Sequence, residues 1–179
     1  MSRLRVAGGE ARGRRLKAPK NIRPTQGVVK QAIFNMVAAR IEGATVLDLF
    51  AGSGALGIEA LSRGAASVTF VDQQPRGLAI LRQNLDALGF SERARVVRGD
   101  VVRWLEASPD VVGSADLIFL DPPYEDIVLD RALRVLDREV RSATVLAEHS
   151  RRQMLPQLER LRVDRERRHG DTIVTVLAV

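Results

Sequence analysis

The chain has 179 residues, 45% hydrophobic and 28% charged, a balance that suits one soluble domain with a single core. Zero cysteines exclude disulfides, thiolate metal sites, iron–sulfur clusters and any cysteine nucleophile. No apolar run reaches the ~18 residues of a membrane span, and the N-terminus lacks a signal peptide's apolar core, so a cytoplasmic address without membrane association is expected. The formal charge of +6 is concentrated at one end, where residues 1–30 hold nine Lys/Arg against Glu10 alone.

In that basic segment Leu4, Val6 and Leu16 alternate with charges around Gly8, Gly9 and Gly13. This predicts a hairpin arm over residues 1–26, packed as part of the same domain, with Arg12, Arg14, Arg15, Lys17 and Arg23 as polyanion contacts. Pro24 precedes an amphipathic segment in which Val29, Ile33, Met36 and Val37 recur at helical spacing, so a helix is predicted over 27–40, opening a domain that runs to residue 179. Strands are predicted at 45–50, 67–72, 95–100, 115–121 and 144–150. Leu78, Leu81, Leu85 and Leu88 form one intervening helical stripe, and Leu129, Leu133, Leu136 and Val140 another. Alternation of this kind builds an α/β fold, a mostly parallel sheet with helices on both faces. Near the C-terminus VDRERRHG turns into TIVTVLAV with no intervening helix, which predicts an antiparallel hairpin on the sheet edge and seven strands in all. The two histidines, His149 and His169, are too few for a multi-histidine metal centre and are read as surface or turn residues; no metal is expected. Trp104 is read as core.

The stretch DLFAGSGALG, residues 48–57, carries G-x-G-x-x-G between a strand and a helix, the context of an adenosine-ligand loop. Asp72 follows Gly52 by 20 residues at the end of the second strand, where a carboxylate can accept from two ribose hydroxyls. A nicotinamide dinucleotide and S-adenosylmethionine share that ribose. Asp48 favours the second, because a carboxylate before the loop repels a pyrophosphate but attracts a methionine ammonium group. Gly52 and Gly54 allow close backbone approach. Asp100, ending the third strand, is a candidate for the adenine amino group, with Val101 beside it.

The apolar strand LIFL ends in Asp121-Pro122-Pro123-Tyr124. Functional groups of open α/β sheets gather at the carboxyl ends of central strands. Two prolines make the segment stiff and leave its carbonyls without competing N–H groups. A carboxylate and a carbonyl close together suit a planar –NH2, whose lone pair must be turned out of the ring to act as a nucleophile, and an aromatic ring alongside offers a stacking surface for the base. Absence of cysteine excludes pyrimidine C5 methylation and radical methylation.

These motifs resemble class I S-adenosylmethionine-dependent methyltransferases with an N/D-P-P-Y/F motif, and more closely the RsmD family. The likeness runs through Gly8, Gly9, Arg12, Gly13, Arg14 and Leu16, through Arg23-Pro24-Thr25, Phe34-Asn35 and residues 46–65, then Phe70 to Asp72 and Leu117 to Tyr124. It implies a Rossmann-like fold. It also implies methyl transfer from S-adenosylmethionine to N2 of a guanine in small-subunit ribosomal RNA, guanine 966 of 16S rRNA, within the 30S particle and by a monomer. By the same likeness Asp121, Pro122, Pro123 and Tyr124 are catalytic. Thr25, Asp48, Phe50, Ala51, Gly52, Gly54, Asp72, Asp100 and Val101 bind cofactor, and the arm closes over cofactor and RNA. Where the family has an Asp-Arg pair and then an acid after RPT, this chain has Gln26-Gly27-Val28 and later Lys30-Gln31. A DNA adenine-N6 methyltransferase shares both motifs, although a separate DNA-recognition domain is not expected in this length. A non-catalytic RNA-binding module that keeps a cofactor fold is the reading from another class.

Overall fold

A computed structural model describes residues 4–19, 26–123 and 127–179. Seven strands form one sheet: β1 (Thr45–Leu49), β2 (Ser67–Asp72), β3 (Ala94–Arg98), β4 (Leu117–Leu120), β5 (Thr144–Ser150), β6 (Arg162–His169) and β7 (Thr172–Ala178). Their order is β3-β2-β1-β4-β5-β7-β6. The first five are parallel, β7 runs antiparallel to β5, and β6 antiparallel to β7. The terminal hairpin therefore inserts its second strand against the parallel sheet and leaves the first at the edge. Exposed charges along β6 suit that position, because an edge strand that carries Arg and Glu resists pairing with a second chain.

Helices cover both faces. The arm, α1 (Gln26–Val37), α2 (Ala55–Ser62) and α3 (Pro75–Leu88) pack on one, burying Ile33, Leu61, Leu78 and Leu81 against Val46, Phe70 and Phe119. On the other, α4 (Val101–Ala107), α5 (Pro109–Gly113) and α6 (Val128–Glu139) bury Leu105, Leu129, Leu133 and Leu136 against Leu47, Ile118 and Val145. The strand residues divide between these clusters by parity, as side chains alternating across a pleated sheet must.

The predicted boundaries shift for local reasons. The first helix unwinds at Val37 into one 3-10 turn, Ala38–Arg40. β1 stops at Leu49 because Phe50 adopts a positive φ of 62°. β3 stops at Arg98 because Asp100 leaves the ladder to cap α4, accepting from Arg103 N at 2.9 Å. β4 is shorter at both ends than predicted, with Asp121 beyond the ladder and two prolines after it. The short α5 went unpredicted, although Pro109 stands at its first turn. His149 is the clearest correction: it is 3% exposed rather than superficial, with Nε2 2.9 Å from Thr175 Oγ1 and Nδ1 3.0 Å from the Ser150 carbonyl. Trp104 is half-buried at the rim of the second cluster rather than within it.

The basic arm is a hairpin of minimal kind. Arg5 and Arg15 form a single antiparallel bridge, flanked by hydrogen bonds from Val6 N to Arg14 O and from Leu16 N to Leu4 O. Leu4, Val6, Ala11 and Leu16 point inward and join the core, so the arm is a layer of the domain. Gly9 makes the contact possible: at φ 77° a Cβ there would stand 1.7 Å from the Ser62 carbonyl oxygen of α2.

Candidate active site

Register determines which side chains meet. Because Leu120 pairs with Ala147, and Leu49 with Leu120, the next residues along β1, β4 and β5 are Phe50, Asp121 and Glu148, side by side at the carboxyl ends. The strand order also reverses here, with β1 next to β4, which is where an open α/β sheet opens its ligand crevice. Asp121 and Glu148 share parity with Phe119 and Leu146, so both project to the face covered by the arm and α1. A cleft of about 260 Å³ results, lined by Leu4 and Pro19 of the arm, Lys30 of α1, the 50–53 turn, and the two carboxyls.

The glycine turn is held from below by buried acids. Asp72, 8% exposed, accepts from Gly52 N at 2.9 Å through one oxygen and from Gln74 N at 2.7 Å through the other. Asp48, 1% exposed, accepts from Gly57 N at 2.8 Å and so ties β1 to the first turn of α2. Gly54 caps that helix in the left-handed region, where a Cβ would lie 2.2 Å from Leu81 Cδ1; its smallness is required by α3 as much as by any ligand. Gly52 differs, since among the described residues no atom outside its own chain neighbours lies within 4 Å of the place a Cβ would take. Phe50, Ala51 and Gly52 border the cleft directly.

Burial and mutual repulsion raise the proton affinity of the carboxyls here. Burial, opposed by the Gly57 hydrogen bond and assisted by the charge of Asp72, pushes Asp48 from 3.8 up to about 7. Asp121 is raised well above the ordinary value by burial first, then by the charges of Glu148 and Asp48 and by its hydrogen bond with Glu148. A site of this kind calls for positive charge. The open Gly52 turn, held by Asp72, leaves room beside these carboxyls for a cationic ligand.

Other predicted residues fall at greater distance or outside the described residues. Val101 is buried at the start of α4, while Asp100 is exposed and occupied as a helix cap; neither lines the cleft. Pro122 is buried and Pro123 exposed. Tyr124, Arg23 and Thr25 lie outside the described residues. Arg12, Arg14, Arg15 and Lys17 all face solvent; Arg14 donates to the Ala87 carbonyl and Lys17 to Gln83, both on α3.

Three residues escaped sequence reading. Glu148 was visible only as an acid at the end of a strand. Lys30 and Glu59 form a buried ion pair at 2.9 Å that locks the arm in place. Glu59, fully buried in α2, also accepts from Ala7 N at 2.9 Å, Gly8 N at 2.8 Å and Arg63 Nε at 2.9 Å, while Lys30 Nζ donates to the Arg5 carbonyl at 2.6 Å. A lone charge at an apolar helix position was the available signal, for Lys30 in VVKQAIF and for Glu59 in LGIEAL. Among the described residues no cluster of His, Asp and Glu could hold a metal ion, and no helix is long and apolar enough to cross a membrane.

The family described as "Conserved hypothetical protein 95" matches residues 4–178. The chain is 37% identical over 138 residues, covering 75% of it and 67% of its relative, to the ribosomal RNA small subunit methyltransferase D of Escherichia coli K12. It is 40% identical over 159 residues, 86% of each chain, to YlbH of Bacillus subtilis strain 168, whose name marks it as a candidate rRNA methyltransferase. Among solved structures, an Escherichia coli candidate methyltransferase, yhhF, superposes with a TM-score of 0.85 at 29% identity, over 98% of this chain and 97% of that one.

Proposed function

The chain belongs to the RsmD family, covered by the Conserved hypothetical protein 95 description, and from that premise we propose that it methylates the exocyclic N2 of a guanine in small-subunit ribosomal RNA. It is an S-adenosylmethionine-dependent RNA methyltransferase with a class I fold. We place its target at guanine 966 of 16S rRNA, presented in the 30S particle to a monomeric enzyme in the cytoplasm.

The observation that carries the reading is the acidic pair Asp121 and Glu148, at the carboxyl ends of adjoining central strands, facing the glycine turn across one cleft in a protein whose arm is basic. S-adenosylmethionine supplies an electrophilic methyl group on a cationic sulfur. Phe50, Ala51, Gly52 and Gly54 form its cradle in this reading. Asp48 faces its ammonium group, and Asp72 holds the turn and accepts from the ribose. Asp100 and Val101, beyond the cleft at the start of α4, would be reached by the adenine end of the cofactor, and Thr25 closes the site. Asp121 accepts one N–H of the guanine amine and a carbonyl of the Asp121-Pro122-Pro123 segment accepts the other. Held so, the nitrogen lone pair is directed out of the ring plane toward the methyl carbon. As the nitrogen lone pair forms the C–N bond, the methyl–sulfur bond would break and its electron pair stay on sulfur, leaving S-adenosylhomocysteine as a neutral thioether; the positive charge passes to nitrogen, where Asp121 stabilises it. A carboxyl whose proton affinity burial has raised is also suited to receive the proton that nitrogen then releases. Tyr124 stacks on the base, offsetting part of the few kcal/mol needed to unstack it. Arg12, Arg14, Arg15, Lys17 and Arg23 bind the phosphate backbone.

The test is methyl transfer from labelled S-adenosylmethionine to unmodified 30S particles, protein-free rRNA and unmethylated DNA, each followed by nucleoside identification. N2-methylguanosine from rRNA, mapped to guanine 966, supports the proposal. N6-methyladenine from DNA would retain the chemistry and overturn the substrate, and cofactor binding without transfer to any of the three would leave an RNA-binding module.

A further inference from the structure

Asp121 and a carbonyl suffice to orient the amine, so the task of Glu148 is a separate question. Its position is built rather than incidental. The β4–β5 register places it beside Asp121, it borders the same cleft, and the two carboxyls share a hydrogen bond. Two carboxyls close enough to share a hydrogen bond bring their facing oxygens to about the spacing of two neighbouring polar groups on a base edge. Guanine has two hydrogen-bond donors side by side on its Watson–Crick edge, N1–H and the N2 amine. Adenine has a bare N1 lone pair beside its amine. A flipped base is read on that edge. We propose that Glu148 is a specificity-determining residue that accepts from guanine N1–H while Asp121 accepts from the N2 amine, so that the carboxyl pair selects guanine. The inference rests on the guanine-N2 reading above and adds to it the means by which the base is chosen.

The charge balance permits this. Asp121 and Glu148 stand together on the cleft with the charge of the buried Asp48 close behind them, and Lys30, the cation on its wall among the described residues, is already paired with Glu59. The positive charge of the methyl donor, arriving beside these acids, favours their ionised forms and so makes both members of the pair acceptors. A purine with an unprotonated N1 would then set a lone pair against the Glu148 carboxylate, and a buried polar mismatch of this sort is how binding sites reject close analogues strongly.

The experiment compares reconstituted 30S particles with guanosine or 2,6-diaminopurine riboside at the target. The second base keeps the N2 amine and lacks N1–H. Assays are run at a pH where the wild-type rate has reached its plateau. Wild type is expected to favour guanosine by roughly 10²-fold in kcat/KM, the scale of a hydrogen bond to a charged group. Glu148→Gln, whose amide can donate to a bare N1, is expected to bring the ratio to within about tenfold of unity, with cofactor affinity unchanged. Glu148→Asp is expected to keep the guanosine preference. If Glu148→Gln does not fold, Glu148→Ala provides the same ratio. An unchanged ratio in an active variant, or loss of activity on both RNAs with normal cofactor binding, overturns the assignment. A wild-type enzyme that transfers no methyl group to guanine N2 overturns the underlying reading as well.

Discussion

Replacing Glu59 by Gln removes the single charge to which the arm, α1 and α2 are all fastened. Glu59 is fully buried and accepts hydrogen bonds from Ala7 N, Gly8 N, Lys30 Nζ and Arg63 Nε, with Ala7 N reaching both carboxylate oxygens. A glutamine keeps one acceptor oxygen, turns an –NH2 group toward donors, and leaves the Lys30 ammonium, 5% exposed, with the Arg5 carbonyl in place of a charged partner. Breaking a buried pair by neutralising one member costs about 3–5 kcal/mol. At roughly 2–4 °C per kcal/mol for a domain of this size, Tm should fall by about 6–20 °C. Thermal and urea unfolding followed by far-UV circular dichroism measure the loss, and limited proteolysis within residues 4–19 reports release of the arm. The pH dependence adds a second readout. Burial pushes the Glu59 pKa upward most strongly, yet the Ala7 hydrogen bond, the charge and hydrogen bond of Lys30, and the Arg63 hydrogen bond together bring it below its ordinary 4.5. Its stabilisation is therefore present above pH 4.5 and lost on acidification through the lowered folded-state value, so wild-type and variant stabilities converge at low pH. Removing both charges, as Glu59→Leu with Lys30→Met, should cost less than the sum of the single changes. A loss below about 1 kcal/mol for Glu59→Gln, or strict additivity in the double variant, would refute the view that this pair holds the arm.

Asp121→Ala should lower methyl transfer by at least ~10²–10³-fold while leaving cofactor affinity within several-fold; single-turnover transfer and equilibrium binding separate the two, and normal turnover would remove the acceptor role. Asp48→Asn should stabilise the cofactor-free protein at neutral and higher pH. The folded state raises this carboxyl from 3.8 to about 7, so wild-type stability falls as pH rises across that interval and levels beyond it, a slope that urea titrations at several pH values should find missing in the variant. Its affinity for S-adenosylmethionine should fall at the same time, and unchanged affinity would mean that Asp48 serves only to tie β1 to α2. Neutralising Arg12, Arg14 and Arg15 together should weaken rRNA binding and flatten its log–log salt dependence by up to about 2–3 units, one for each phosphate no longer neutralised. Filter binding across a salt series checks this, and an unchanged slope would mean that these side chains meet only solvent.

Much of the fold was written in local pattern. Short β-branched runs at Thr45–Leu49, Ser67–Asp72 and Leu117–Leu120 alternate with leucine stripes such as Leu78, Leu81 and Leu85, and periods of two and 3.6 residues report burial on one face whatever the partner. Gly52, Gly54, Asp48 and Asp72 were legible for a related reason, since a tight turn between strand and helix restricts which residues can stand there. The His-Gly-Asp turn and the alternation of TIVTVLAV likewise declared the terminal hairpin. Element ends were less legible, because Phe50 at φ 62° and the cap at Asp100 depend on what the chain must do next.

The sequence by itself determined the layers, the glycine turn and the acid at the end of the fourth strand, because each follows from neighbours within a few residues. Only tertiary structure decided which distant charges would meet. Glu148 lies 27 positions beyond Asp121, and it stands beside it because two parallel strands pair in one register; a shift of a single residue would turn one carboxyl to the opposite face. Lys30 and Glu59 read as isolated charges on apolar helices, and they are partners because the arm packs α1 and α2 around them. Long-range register and the desolvation of paired charges carry no periodic signature, so the chemistry of this cleft took shape only when the sheet closed.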